Sequence, residues 1–135
     1  MDRIRRATRK RDRARLGNLH FIQAEARLFL ETLPSEIRFS DVYVLFPDPW
    51  PKLRHHKHRI LRPEFLTRLA PRMAPGARLF FRTDHADYFA DALKTIRAHR
   101  AWAVTDDGWE FEYATVFQQR ADSYHSFTAQ TRHIA

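Results

Sequence analysis

An aspartate fixed between two prolines is the feature with the clearest chemical content. Residues 46–51 read Phe46-Pro47-Asp48-Pro49-Trp50-Pro51. Each proline locks its φ and removes a backbone donor, so the Asp48 carboxylate stands on stiff backbone. Lys52, Arg54, His55, His56, Lys57, His58 and Arg59 follow with no acid among them. Lys and Arg in such a run suit phosphate neutralisation. A rigid carboxylate beside an anion-attracting surface suits the positioning of a reacting group next to a polyanion. Trp50 could stack on a base or shape a pocket. The plain alternatives are a turn aspartate, since Asp beside Pro is ordinary turn chemistry, and a solvated charged loop. Spacing alone leaves both pairs open. The three histidines on a loop do not form a zinc signature and no cysteine supports one, so no metal site is expected.

Two further acids stand where chains enter helices. Glu25 precedes an apolar helical pattern and Asp84 follows an apolar run. Each could contact a ligand, and each could equally serve the helix N-terminus. The charge distribution points the same way as the loop. Residues 1–16 hold eight Arg/Lys against two Asp, and residues 52–62 hold five Arg/Lys and no acid, within a net charge of +8. The rest is slightly acidic. Two basic patches on such a body point to a polyanion, nucleic acid above all. With no cysteine there is no disulfide framework and no thiolate chemistry. No apolar run reaches membrane-spanning length, and the basic N-terminus lacks the apolar centre of a secretory signal.

Elements must hold these residues in place. RIRRATRKRDRARL predicts a helix ended by Gly17-Asn18, LHFIQA a short buried strand, and EARLFLETL a helix stopped by Pro34. DVYVLF predicts a strand buried on both faces. The prolines argue against regular structure over 47–60, after which Pro63 starts a helix over PEFLTRLAPRM. Pro75-Gly76 predicts a turn, RLFFRT a buried strand, and HADYFADALKTIRAHR an amphipathic helix. Phe80, Phe81, Tyr88 and Phe89 are expected in the core. WEFEYATVFQ and SYHSFTAQT alternate as an antiparallel pair of strands would. Strands alternating with helices imply one α/β domain over residues 1–135, with a mostly parallel sheet covered on both faces and an antiparallel edge. Ligands of such sheets sit beyond the carboxyl ends of the strands. Glu25, Asp48 and Asp84 would then share one rim.

These motifs resemble the bacterial tRNA (guanine-N7-)-methyltransferase family. The resemblance rests on FPDPWPK, the RHHKHR that follows, PEFL, the Thr-Asp-His of 83–85 with Tyr88, and Thr115-x-Phe117, in family order and spacing. It implies a class I, Rossmann-like methyltransferase fold that uses S-adenosylmethionine (SAM), acts on tRNA and works in the cytoplasm. It implies that Glu25 meets the adenine of SAM and that Asp48 is the SAM-proximal, catalytic acid. Lys52 and Asp84, with Thr115 and Gln118 of a late stretch, would contact the substrate. Arg54, His55, His56, Lys57, His58 and Arg59 would contact RNA.

Two departures accompany the resemblance. Gln118 stands where the family usually has Glu, which removes a carboxylate suited to the guanine N1–H and amino group. The glycine-rich SAM loop is absent, because Gly17, Gly76 and Gly108 are the only glycines and form no Gly-x-Gly. The chain therefore resembles the C-terminal portion of the family, N-terminally truncated by two strands that would lie between LHFIQA and DVYVLF. Weak or absent SAM binding by this polypeptide alone is expected, and LHFIQA and DVYVLF would either pair directly or leave one with an open strand edge. A second copy or a complementing chain could supply the strands.

Guanine N7 carries a lone pair and no proton, so its methylation needs positioning more than a base. The expected reaction is direct transfer from the sulfonium to N7 of a variable-loop guanine. The alternatives are an inactive RNA-binding remnant or partner subunit of that enzyme, and a methyltransferase acting on another base atom.

Overall fold

A computed structural model describes residues 2–109 and 123–132. The chain divides into two compact units, one ending at Thr32 and one beginning at Leu33.

The first unit holds two helices. Helix α1 (Asp2–Arg13) is built from strong helix formers and has no buried residue, so its cations remain at the surface. It ends earlier than its sequence suggests. Arg15 takes the left-handed conformation at φ 55°, and the Leu16 and Arg15 amides return to the carbonyls of Arg11 and Asp12. This is the Schellman pattern, with Arg15 doing what Gly17 was expected to do. Helix α2 (Ala26–Thr32) follows. LHFIQA between the two helices is not a strand. Its backbone lies in no ladder, and Phe21 and Ile22 are exposed. An apolar run becomes a strand only where another strand offers hydrogen bonds, and none does here among the described residues.

The second unit is a four-stranded sheet with helices α3 (Pro63–Leu69) and α4 (Ala86–Ala98). The strands are β1 (Phe39–Leu45), β2 (Met73–Thr83), β3 (Trp102–Thr105) and β4 (His125–Thr131), in the order β1-β2-β4-β3. β1 and β2 are parallel, and β4 is antiparallel to both β2 and β3. This is the mixed α/β sheet expected, a parallel pair with an antiparallel edge. Among the described residues β4 pairs with β3 within that edge. β3 is the short Trp-Ala-Val-Thr segment, where no strand was expected. WEFEYATVFQ falls almost entirely outside the described residues.

Phe81 faces α4, packing on Tyr88 and Phe127, while its neighbour Phe80 faces the other way, stacked on Tyr43 at 4.5 Å. Phe80, Phe81 and Tyr88 are fully buried, as expected of core aromatics, and Phe89 is half-buried. Trp102 is also fully buried, and its indole N–H donates to Leu66 O at 2.9 Å, tying β3 to α3. β2 begins at Met73, earlier than RLFFRT. Its register against β1 jumps between Phe39 and Asp41, so the Pro75-Gly76 turn forms an irregularity inside the strand, with Gly76 at φ 76°. β1 departs from expectation as well. Its residues alternate between exposed and half-buried rather than being enclosed on both faces. It is an edge strand among the described residues, and Tyr43 and Leu45 remain well exposed.

Candidate functional site

The parallel pairing of β1 and β2 fixes which loops meet. Leu45 stands opposite Arg82, and the Phe46 amide extends the ladder by donating to Arg82 O at 2.8 Å. Both strands then end. Asp48 lies three residues beyond Leu45 and Asp84 two beyond Arg82, so the two acids open neighbouring loops at the same carboxyl edge. Both carboxylates are exposed, and neither makes a hydrogen bond or ion pair among the described residues.

The loop carrying Asp48 is strained at both ends. Phe46 has φ 48° and Trp50 φ 45°, left-handed values that bulky residues seldom adopt. Each costs on the order of 1–3 kcal/mol and persists only where its surroundings dictate it. The surroundings do so here. At the Phe46 end, its ring meets Tyr124 edge-on at 6.4 Å. The Arg82 guanidinium lies 3.6 Å from the centre of the Trp109 ring and 4.6 Å from that of Tyr124. Arg82 also donates to Ser126 Oγ at 2.6 Å. At the Trp50 end, the indole packs against the imidazoles of His58 (4.9 Å) and His55 (5.8 Å). The residues after Pro51 are more regular than three prolines suggested. Leu53–His58 wind into a 3-10 helix, because the prolines all precede it and the amides of His55 and Arg59 reach back three residues.

Arg59 closes this loop from below. Its side chain is completely buried. Nε donates to Pro49 O at 2.6 Å, Nη1 to Asp91 Oδ2 at 3.1 Å and Nη2 to Asp87 Oδ2 at 2.9 Å, and the guanidinium lies over the Tyr88 ring at 4.8 Å. Tyr88 in turn accepts the Leu61 amide through its hydroxyl at 3.2 Å. The hydrogen bond from Arg59 holds the Asp87 carboxyl below its ordinary value, while burial pushes the Tyr88 phenol up. An RNA contact by Arg59 does not fit this arrangement. An enclosed guanidinium with its donors engaged has nothing to offer a phosphate, and sequence could not distinguish it from its exposed neighbours. The missed signal was Asp87 and Asp91, one helical turn apart on α4 and able to grip one cation.

The other expected RNA contacts divide by exposure. Lys52, Arg54 and Lys57 are exposed and make no ion pair among the described residues. His58 is exposed, and His55 and His56 are half-buried. His56 Nε2 lies 3.3 Å from Pro51 O and 3.9 Å from Asp87, so it braces the loop from within. No cluster able to hold a metal ion occurs among the described residues.

For the acids flanking helices the structure separates two cases. Thr83 Oγ1 accepts the His85 amide at 3.1 Å, and His85 Nδ1 accepts the Tyr88 amide at 3.0 Å. His85, not Asp84, therefore caps α4, which leaves the Asp84 carboxylate free. Glu25 does cap its helix: Oε2 accepts the Leu28 amide at 2.9 Å, and Oε1 lies 3.6 Å from Arg27. Glu25 belongs to the first unit and Asp48 and Asp84 to the second. Thr115 and Gln118 lie outside the described residues.

A SAM-like group fits these residues in part. Asp48 offers a free carboxylate to an ammonium or hydroxyl donor. None of the three glycines has any atom within 4 Å of where a Cβ would stand, so none forms the tight turn that brings backbone onto such a cofactor. A cavity of about 480 Å³ lined by Ser40, Asp41, Gly76, Arg78 and Gln130 lies at the opposite end of the strands from this rim.

An open, mixed α/β sheet with free carboxylates at the carboxyl edge of its parallel pair and a cationic loop alongside is an arrangement in which α/β proteins present ligand-contacting groups. Residues 1–131 match the family described as putative methyltransferase, and the chain belongs to that family. Among curated relatives, it is 36% identical over 94 residues to a tRNA (guanine-N(7)-)-methyltransferase of Nitrosomonas europaea, an alignment covering 70% of this chain and 42% of that protein. It is 37% identical over 109 residues to the protein of that name from Bordetella pertussis, covering 78% and 43%. It is 40% identical over 94 residues to that of Aromatoleum aromaticum, covering 70% and 36%. The chain thus spans less than half the length of these relatives.

Proposed function

We propose that this chain provides the substrate-facing portion of a SAM-dependent tRNA (guanine-N7-)-methyltransferase acting in the cytoplasm. The observation that carries the reading is the stiff, strained Pro-Asp-Pro loop, which holds a free carboxylate at the strand ends beside exposed Lys52, Arg54 and Lys57. The similarity to the named relatives supports the same reading.

SAM would supply an electrophilic methyl group on sulfur. The chain's residues then have to bring a purine N7 into line with it. Lys52, Arg54, Lys57 and His58 neutralise tRNA phosphates and set the register of the substrate. Asp48 accepts a hydrogen bond from the cofactor's amino-acid end or from the guanine edge, and its charge favours the positive charge that passes from sulfur to the ring. Asp84 stands on the neighbouring loop as a second acceptor for base or ribose. Trp50, braced by its two tilted imidazoles, offers an indole face for a base. Thr115 and Gln118 complete the substrate contacts, with the amide of Gln118 in place of a carboxylate. Glu25 approaches the adenine of SAM, an assignment that requires it to share its capping role.

The test is transfer of labelled methyl from SAM to unfractionated tRNA, with the label located in nuclease digests. Label in 7-methylguanosine from the variable loop is the expected result. Label on an exocyclic amine, or no transfer by a preparation that binds both SAM and tRNA, overturns the reading.

A further inference from the structure

We infer that Arg59 is a positioning residue: it fixes the backbone that carries Asp48 by gripping Pro49 from the far side, and it makes no contact with RNA. The inference rests on the methyltransferase reading for its consequence in catalysis, but its structural part stands independently.

Every polar nitrogen of Arg59 is engaged. The shortest of its hydrogen bonds, at 2.6 Å, goes to the carbonyl of Pro49, the residue immediately after Asp48. A proline carbonyl preceding a left-handed Trp50 is not held by any strand or helix, so the guanidinium supplies the order that secondary structure does not. Asp87 and Asp91 hold the other two nitrogens, at 2.9 and 3.1 Å, and both project from one face of α4. The Tyr88 ring beneath the guanidinium comes from the same helix. The position of Asp48 is thereby referred to α4, a thirteen-residue helix packed on the sheet, rather than to the loop itself. Asp84 is referred to that helix too, through the His85 cap. One element therefore sets the placement of both free carboxylates. A flat fork with three directed donors is needed for this, and a lysine ammonium cannot reproduce it.

Arg59→Lys keeps the charge and removes the fork. Asp87→Asn combined with Asp91→Asn weakens the grip from the helix side without touching the loop. Three readouts separate the roles. Amide hydrogen exchange over residues 46–58 is expected to quicken in both variants while the strands keep their protection. The affinity for tRNA and its salt slope are expected to stay as in the unaltered protein. Methyl transfer is expected to lose on the order of 100-fold in kcat with KM for tRNA little changed, the size of effect a displacement of about 1 Å can have. Unchanged loop exchange overturns the inference. So does a salt slope lowered by about one, which would make Arg59 a phosphate contact. If a preparation that binds both SAM and tRNA transfers no methyl, the preceding proposal fails, and the exchange and salt measurements still decide whether Arg59 holds the loop.

Discussion

Asp48 and Asp84 are free, whereas Glu25, Asp87 and Asp91 are engaged, and this difference separates the acids available for chemistry from those that build the site. Asp48→Asn keeps the size and removes the charge. On the proposed function, methyl transfer by the intact enzyme is expected to be abolished, with tRNA binding changed no more than a few-fold, as measured by filter binding beside a turnover assay. An equal loss in both would make Asp48 a binding residue only. Asp87 gives a prediction in pH. Its folded-state pKa is lowered by the Arg59 hydrogen bond, so it favours the folded state when ionised. That contribution is fully present above the ordinary carboxyl value of 3.8 and disappears as the pH falls through the lowered one. Denaturant titrations should therefore show Asp87→Asn less stable than the unaltered protein at neutral pH, with the gap closing in acid. Because Asp87 is largely exposed, the gap should be small.

At the scale of elements, the Pro-rich loop and α4 act together. Tyr88 is the joint between the loop's exit and the helix, since its hydroxyl satisfies the Leu61 amide in a buried setting. Tyr88→Phe keeps the ring under Arg59 and strands that donor. The expected loss is about 1–3 kcal/mol, read as a lower midpoint in thermal unfolding with the ring packing preserved. An unchanged midpoint would mean that water replaces the hydroxyl. The helices α2, α3 and α4 and the strand β2 were legible in the sequence because periodicity and proline placement are local signals. LHFIQA and WAVT were misjudged in opposite directions for one reason. A strand is defined by its neighbour, so an apolar run without a partner stays coil, while four unremarkable residues beside β4 become β3. β1 was read as enclosed because its composition is apolar, but its place at the edge of the sheet depends on strand order.

For the molecule as a whole, the net charge of +8 and its concentration in two short segments favour a polyanionic partner. Lys52, Arg54 and Lys57 are the exposed cations closest in sequence to Asp48. Arg54→Glu with Lys57→Glu is expected to weaken tRNA binding and to flatten the dependence of log K on log salt by roughly 0.9 for each phosphate no longer neutralised. Slopes that match the unaltered protein would remove both side chains from the RNA surface. The contrast with Arg59→Lys, which should leave the slope alone, is a property of the tertiary structure. All three cations belong to one run, and only folding turns one of them inward.

The sequence by itself determined the residue types, the stiffness that prolines impose around Asp48, the basic segments and the membership in a methyltransferase family, because these are local or compositional properties. Only the tertiary structure decided which carboxylates are free and which cation is buried. Those outcomes depend on distant partners, α4 against the Pro-rich loop and β1 against β2, whose approach no local signal encodes.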